Sequence, residues 1–123
     1  MIYDLPSNVL CGNRPVPLEM PDYLDIHVSG IKGFSSPSLT YEQILNGIEN
    51  PVGAEPICKG AKGKKSAVII IDDITRPTPC GQIAEAVISQ LLEAGVPKNN
   101  IWFMAALGAH GVMYREDFIR KLG

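Results

Sequence analysis

Three charged side chains carry most of the chemistry open to this chain, and all stand just past runs of apolar residues. In "VIIIDDITRPTPCG", residues 68–81, four aliphatic positions give way to Asp72 and Asp73, then to Thr75, Arg76 and Pro-Thr-Pro. A solvent loop needs no proline-stiffened backbone, and a core does not tolerate such charge. The turn therefore reads as a binding site. Arg76 presents a planar fork of donors, always charged, that matches a carboxylate or a phosphate. Asp73, three residues earlier, is placed to orient that fork or an imidazole. His110 lies in "GAHG", residues 108–111, between glycines that let the backbone come close to a ligand. An imidazole suits proton transfer near neutral pH. The hydroxyls of Thr75 and Thr78, with the amides that open the next helix, suit a phosphate.

Each of these residues also has a purely structural explanation. Arg76 and Asp73 could be a local ion pair that closes the turn, His110 a loop histidine, and Asp72 a cap for backbone amides. Their convergence favours a site.

Two familiar motifs are absent from these loops. A dinucleotide fingerprint needs G-x-G-x-x-G after its strand, and neither loop has it. An aspartyl-phosphate nucleophile of the haloacid-dehalogenase kind wants D-x-D-x-[TV], whereas "DDIT" makes the aspartates adjacent and points them to opposite sides of the strand. A third motif fails earlier in the chain. "CKGAKGKKS", residues 58–66, has neither the spacing of a phosphate loop nor its position after a strand, and reads as a basic solvated turn.

The elements that must hold these residues follow from periodicity. "AVIII", residues 67–71, is continuous and β-branched, which predicts a strand covered on both faces and hence a parallel sheet. Residues 82–94 place Ile83, Val87, Ile88 and Leu91 on one helical stripe and end at Gly95, with Pro97 beyond. "IWFMAAL" predicts a second buried strand, and "YREDFIRKL" a helix with acidic residues early and basic ones late, as the helix dipole prefers. The fold class is therefore α/β, a Rossmann-like parallel β-α-β-α unit over residues 59–123 with a right-handed crossover. In parallel sheets the residues just past the carboxyl ends of strands line the ligand crevice. Neighbouring strands lie about 4.8 Å apart, so Arg76 and His110 are expected to reach one small molecule together.

Residues 1–58 read as an irregular, strand-containing segment rich in proline. "LDIHV", residues 24–28, alternates as a half-buried strand does, with His27 facing solvent. "LTYEQILNGI" has helical spacing, with Thr40 as N-cap, Gln43 three residues on, and Gly47 pointing to an early end.

Bulk composition narrows the function. At 123 residues, with 46% hydrophobic and 20% charged residues, the chain is long enough for one domain with a real core. A net charge of −2 argues against nucleic acid as the main partner. No apolar run approaches the roughly 20 residues of a membrane span, and the N-terminus lacks the pattern of a signal peptide. Cys11, Cys58 and Cys80 are three and scattered, which fits a reducing cytoplasm better than a disulfide framework or a zinc site. Cys80 stands at a predicted helix start, where a thiolate is stabilised, although a small helix-start residue is the plainer reading. Two histidines without clustered ligands make no metal site in this chain.

"DDITRPTP", "LLEAGVPKNNI" and "ALGAHGVMYREDFIRKLG" together resemble the N-terminal part of the nickel-pincer-nucleotide-dependent lactate racemase family. The resemblance spans roughly residues 20–123 and is firmest over 48–123, where "IENPVGAEPI" resembles the family's lead-in. It implies an isomerase, a racemase or epimerase acting on a small 2-hydroxy acid. In that family a histidine takes the substrate hydroxyl proton while hydride moves from carbon to a pyridinium ring bearing nickel, and a ketoacid forms. On the matching positions His110 is the first acid/base, Arg76 contacts the substrate carboxylate and Asp73 supports the loop. Thr75, Thr78 and Asp72 are expected on the cofactor side. The family pattern G-T-H-R-P is here Gly108-Ala109-His110-Gly111-Val112, which alters the histidine's surroundings. The family's second histidine, cofactor-tethering lysine and nickel-ligating histidine would lie beyond Gly123, so the chain reads as an N-terminal fragment, inactive alone. The bare edges of its short sheet predict self-association. Two other readings remain at this stage: another α/β enzyme that uses Arg76 as an anion clamp for a carboxylated or phosphorylated metabolite, and a non-catalytic binding module.

Overall fold

β-Branched residues build the strand pair on which the site rests. The computed structural model describes residues 1–7, 12, 14–33 and 36–123, in two units, Met1–Ser38 and Leu39–Gly123. In the second unit β3 (Ala67–Asp72) runs parallel to β4 (Ile101–Ala106), in a register that sets Ala67 opposite Ile101 and Asp72 opposite Ala106. α3 (Gly81–Glu93) connects the two strands, and α4 (Arg115–Leu122) follows the second. The α/β architecture is thus present, with an antiparallel hairpin ahead of it.

The strands are covered differently from the expectation. Ile69, Ile71, Phe103 and Ala105 are half-buried or buried, whereas Val68, Ile70, Trp102 and Met104 on the opposite face are 52–67% exposed. Among the described residues, then, only one face of this pair is covered, although the composition suits burial on both.

The helix between the strands shows a similar shift of phase. Ala84, Val87, Ile88 and Leu91, spaced i, i+3, i+4 and i+7, are its inward stripe, while Ile83 is 44% exposed. Ala86 and Gln90 are buried as well. α3 packs on α1 (Tyr41–Glu49) and α2 (Ile57–Gly60), and Gln90 donates to Glu49 Oε1 at 3.3 Å. Thr40 caps α1 as its sequence predicts, accepting from the Gln43 amide while Gln43 accepts from the Thr40 amide. α1 nevertheless runs past Gly47 to Glu49 and is capped by Asn50, whose amide reaches Asn46 O. α2 occupies the start of the basic segment that reads as a turn, and Gly63 at φ +77° closes it ahead of β3.

The first unit is a hairpin, β1 (Ile2–Leu5) antiparallel to β2 (Val16–Glu19), with the N-terminal amine bonded to Asp22 at 2.7 Å. Pro17 is tolerated because in a two-stranded sheet both strands are edges. No strand forms at residues 24–28. That segment alternates but has no ladder partner among the described residues; Val28 is 67% exposed and His27 is exposed as expected. Cys11 lies outside the described residues. No helix of the described residues is long and apolar enough to cross a membrane.

Candidate functional site

Because β3 and β4 are parallel and end level with each other, the loops after them leave the same rim. The first turns at once, with the Arg76 amide donating to Asp73 O at 3.1 Å. The second turns at Leu107, where the His110 amide donates to Leu107 O at 2.9 Å. Gly108 makes this second turn possible, since φ is +57° there, a conformation side chains rarely adopt.

The two turns are tied together by one short contact. His110 Nδ1 lies 2.6 Å from Asp73 Oδ2, with the aspartate side chain 5% exposed and the histidine 43%. An ionised carboxylate only accepts, so Nδ1 carries the proton and the neutral ring keeps Nε2 as its acceptor. Asp73 Oδ1 accepts from the Thr75 amide at 2.7 Å, and Thr75 Oγ1 stands 3.5 Å from His110 Nδ1. Hydrogen bonds from the Thr75 hydroxyl, His110 and the Thr75 amide hold the Asp73 carboxyl far below the ordinary carboxylate range, against the opposing effect of burial. The arrangement is an anchored imidazole with its free nitrogen available for a proton.

Asp72 has different partners. Its Oδ1 lies 3.0 Å from Lys121 Nζ and accepts a 3.4 Å contact from the Cys80 thiol. Burial pushes the Asp72 carboxyl up, but hydrogen bonds from Lys121, Thr78 and Cys80 together bring it below its usual value. Lys121, whose side chain is 1% exposed, also donates to Arg76 O at 2.7 Å. The Cys80 thiol is pushed up by burial and by the neighbouring Asp72. Its place at a helix start therefore does not produce a thiolate, because a carboxylate and desolvation outweigh the amides.

The structure thus brings Asp73, Thr75 and His110 into direct contact and sets Asp72, Thr78 and Cys80 in a second cluster. Arg76 joins the two through its backbone, and its side chain is exposed. No carboxylate of the described residues lies within ion-pair distance of its guanidinium, so the local Arg76–Asp73 pair does not form. Asp73 bonds the histidine instead.

Residues 11–123 match the lactate racemase N-terminal domain family. This chain belongs to that family. The lactate racemase of Lactiplantibacillus plantarum is 30% identical over 82 residues, covering 67% of this chain and 19% of that protein. The lactate racemase apoprotein from Thermoanaerobacterium thermosaccharolyticum has a similar fold, with a TM-score of 0.64 at 23% identity over all of this chain and 27% of that one. The chain therefore spans about a fifth of the curated relative's length.

Lys121 is a residue of this chain that the motifs did not flag. A signal for it exists. It falls between Phe118 and Leu122, the apolar i, i+4 pair of α4, and hence on the inward stripe. Among the described residues no group of three or more His, Cys, Asp or Glu could hold a metal ion.

Proposed function

We propose that this lactate racemase N-terminal domain supplies the substrate-binding and first acid/base part of a 2-hydroxy acid racemase or epimerase. The observation that carries the reading is the 2.6 Å Asp73–His110 contact, which joins the two loops at the carboxyl rim of a parallel strand pair. Such a rim is where ligands of parallel sheets bind.

In this reading the exposed guanidinium of Arg76 takes the substrate carboxylate through a two-pronged pair of charge-assisted bonds. His110 Nε2 accepts the proton of the substrate hydroxyl. Asp73 holds the ring in the Nδ1–H form and stabilises the imidazolium as the proton arrives. Thr75 limits rotation of that pair by bonding the carboxylate from its other side.

The family implies a nickel-dependent cofactor in the parent enzyme. Among the described residues no group of three or more His, Cys, Asp or Glu is placed to hold the nickel. The exposed Thr75 and Thr78, next to the cationic Arg76, do suit the anionic part of a nucleotide, with Asp72 behind them bonding Thr78. When bound, the cofactor would supply the acceptor for hydrogen leaving the substrate carbon. The chain's own residues bind the carboxylate and take the hydroxyl proton. Ala109, Gly111 and Val112 depart from the family pattern beside the histidine, so the substrate is read as a small 2-hydroxy acid, lactate or a relative of it.

Titration of the chain with L-lactate and D-lactate, followed by NMR at Arg76 and His110, tests this reading. Both enantiomers are expected to shift both residues, and Arg76→Ala is expected to weaken binding about tenfold or more, on the order of 1.4 kcal/mol. Binding that is indifferent to Arg76→Ala overturns it in favour of an unrelated anion site. Cofactor added to the isolated chain is expected to give no racemisation.

A further inference from the structure

A lysine ammonium shielded from water by its own fold calls for an explanation, since burying a charge is costly unless it is paired and bonded. Lys121 is 1% exposed, and two acceptors take its protons: Asp72 Oδ1 at 3.0 Å and the Arg76 carbonyl at 2.7 Å. The first acceptor neutralises the charge. The second is a backbone group of the very residue that carries the exposed guanidinium, 45 positions away in the chain.

A second observation bears on the same place. α4 reaches the loop because its last turn sits against the first turn of α3. A side chain at Gly81 would put its Cβ 2.5 Å from the Leu122 carbonyl oxygen and 3.3 Å from its carbon. Only glycine fits there without a shift of that backbone, and Lys121, the residue before Leu122, lies over the Asp72–Arg76 turn. Arg76 itself stands in "TRPTP", where Pro77 and Pro79 have no amide to fix the backbone by hydrogen bonds. The loop is therefore short of bonds of its own at the position where the guanidinium leaves it.

We propose that Lys121 is a positioning residue for Arg76: its ammonium, seated by the α3–α4 contact at Gly81 and balanced by Asp72, fixes the Arg76 carbonyl and so aims the guanidinium at a substrate carboxylate. The last clause rests on the function proposed above; the fixing of the loop does not. Lys121 touches no substrate in this account and acts only through Arg76. It makes the carboxylate clamp depend on α4, which follows the histidine loop.

The test compares the wild-type chain with Lys121→Met, the double variant Asp72→Asn/Lys121→Met, and Gly81→Ala. Amide hydrogen exchange is read at Thr75 and Arg76 and along the β3–β4 ladder, and L-lactate affinity is read by NMR titration. Lys121→Met is expected to speed exchange at Arg76 at least tenfold and to weaken lactate about tenfold, with ladder amides within twofold of wild type. The double variant, which leaves no orphan charge, is expected to keep the loop defect, because the bond to the Arg76 carbonyl is still missing. Gly81→Ala is expected to show the same loop defect in milder form. Unchanged Arg76 exchange in folded Lys121→Met, or restoration by the double variant, overturns the proposal. So does exchange that rises equally in loop and ladder, which would make Lys121 a general stability residue. If wild type and Arg76→Ala bind lactate alike, the proposed function fails, while the exchange data still decide whether Lys121 holds the loop.

Discussion

Asp72 and Asp73 are neighbours in sequence, yet they serve two clusters with opposite characters. Asp73 meets His110, a partner nearly half exposed that keeps one ring nitrogen for other work. Asp72 meets Lys121, a partner sealed at 1% exposure with its protons committed to the fold. The strand's alternation produces the divergence, since successive side chains point to opposite sides. One carboxylate thus holds an exposed imidazole in place, and the other anchors the frame around it. Residue type alone does not separate these roles; the exposure of the partner does.

The largest expected effect lies in the sealed cluster. Asp72→Asn leaves the Lys121 ammonium buried without its counter-charge; because Asp72 itself is 32% exposed, the loss is expected to reach at most about 3 kcal/mol, the figure for a fully buried pair. Urea unfolding of the two single variants checks this. Asp73→Asn is expected to move the midpoint less, because Asn can keep the bond from the Thr75 amide and the histidine can turn to water, although the carboxylate it replaces is buried and held well below its ordinary value. Equal losses would erase the distinction between frame and reactive pair.

Acid titration sharpens the comparison. The Asp73 carboxyl is held well below its ordinary value by the Thr75 hydroxyl, His110 and the Thr75 amide. A depressed folded value means that the stabilisation is complete above the unfolded value, about 3.9, and is lost as pH falls toward the folded one. The stability gap between wild type and Asp73→Asn is therefore expected to close below about pH 4. The Asp72 carboxyl is lowered too, and Lys121 supplies part of that shift, so Lys121→Met is expected to move Asp72 titration upward without moving that of Asp73. Carboxyl carbon shifts in NMR read both groups directly.

A smaller effect concerns the proton on His110. Nitrogen NMR at alkaline pH is expected to show Nδ1–H in the wild type and in Lys121→Met, and a mixture of tautomers in Asp73→Asn. A ring unaffected by Asp73→Asn would separate the histidine from the aspartate and weaken the acid/base reading.

How far the sequence carried these features depends on range. β3, α3, β4 and α4 were legible because each has a local period and punctuation: the aliphatic run from Ala67, the stop at Gly95, the early acids and late bases of α4. The loop residues Asp73, Thr75, Arg76 and His110 stood out because charge follows an apolar run. Which of them touch was not legible, since Asp73 meets His110 across 37 positions and only the parallel register brings them level. The N-terminal hairpin was hidden by prolines that an edge strand accepts. Alternation at 24–28 misled because period two describes a strand only where a neighbour completes the ladder. Lys121 escaped notice because a lysine late in a helix already had an explanation in the dipole.

The smallest effect belongs to the thiol at the edge of the sealed cluster. Cys80 is 9% exposed, and burial together with Asp72 raises its thiol pKa, so little thiolate forms near neutrality. At pH 8 an alkylating reagent is expected to modify Cys80 several-fold more slowly than the half-buried Cys58, with peptide mapping by mass spectrometry to tell them apart. Asp72→Asn removes the charge that opposes ionisation and is expected to speed Cys80 about threefold relative to Cys58. The ratio matters because the same substitution weakens the fold. General loosening would accelerate both cysteines together, whereas a change confined to Cys80 reports the carboxylate beside it. A Cys80 that reacts fast in the wild type would mean that the Asp72 cluster is open to solvent, and the contrast between the two aspartates would then go with it.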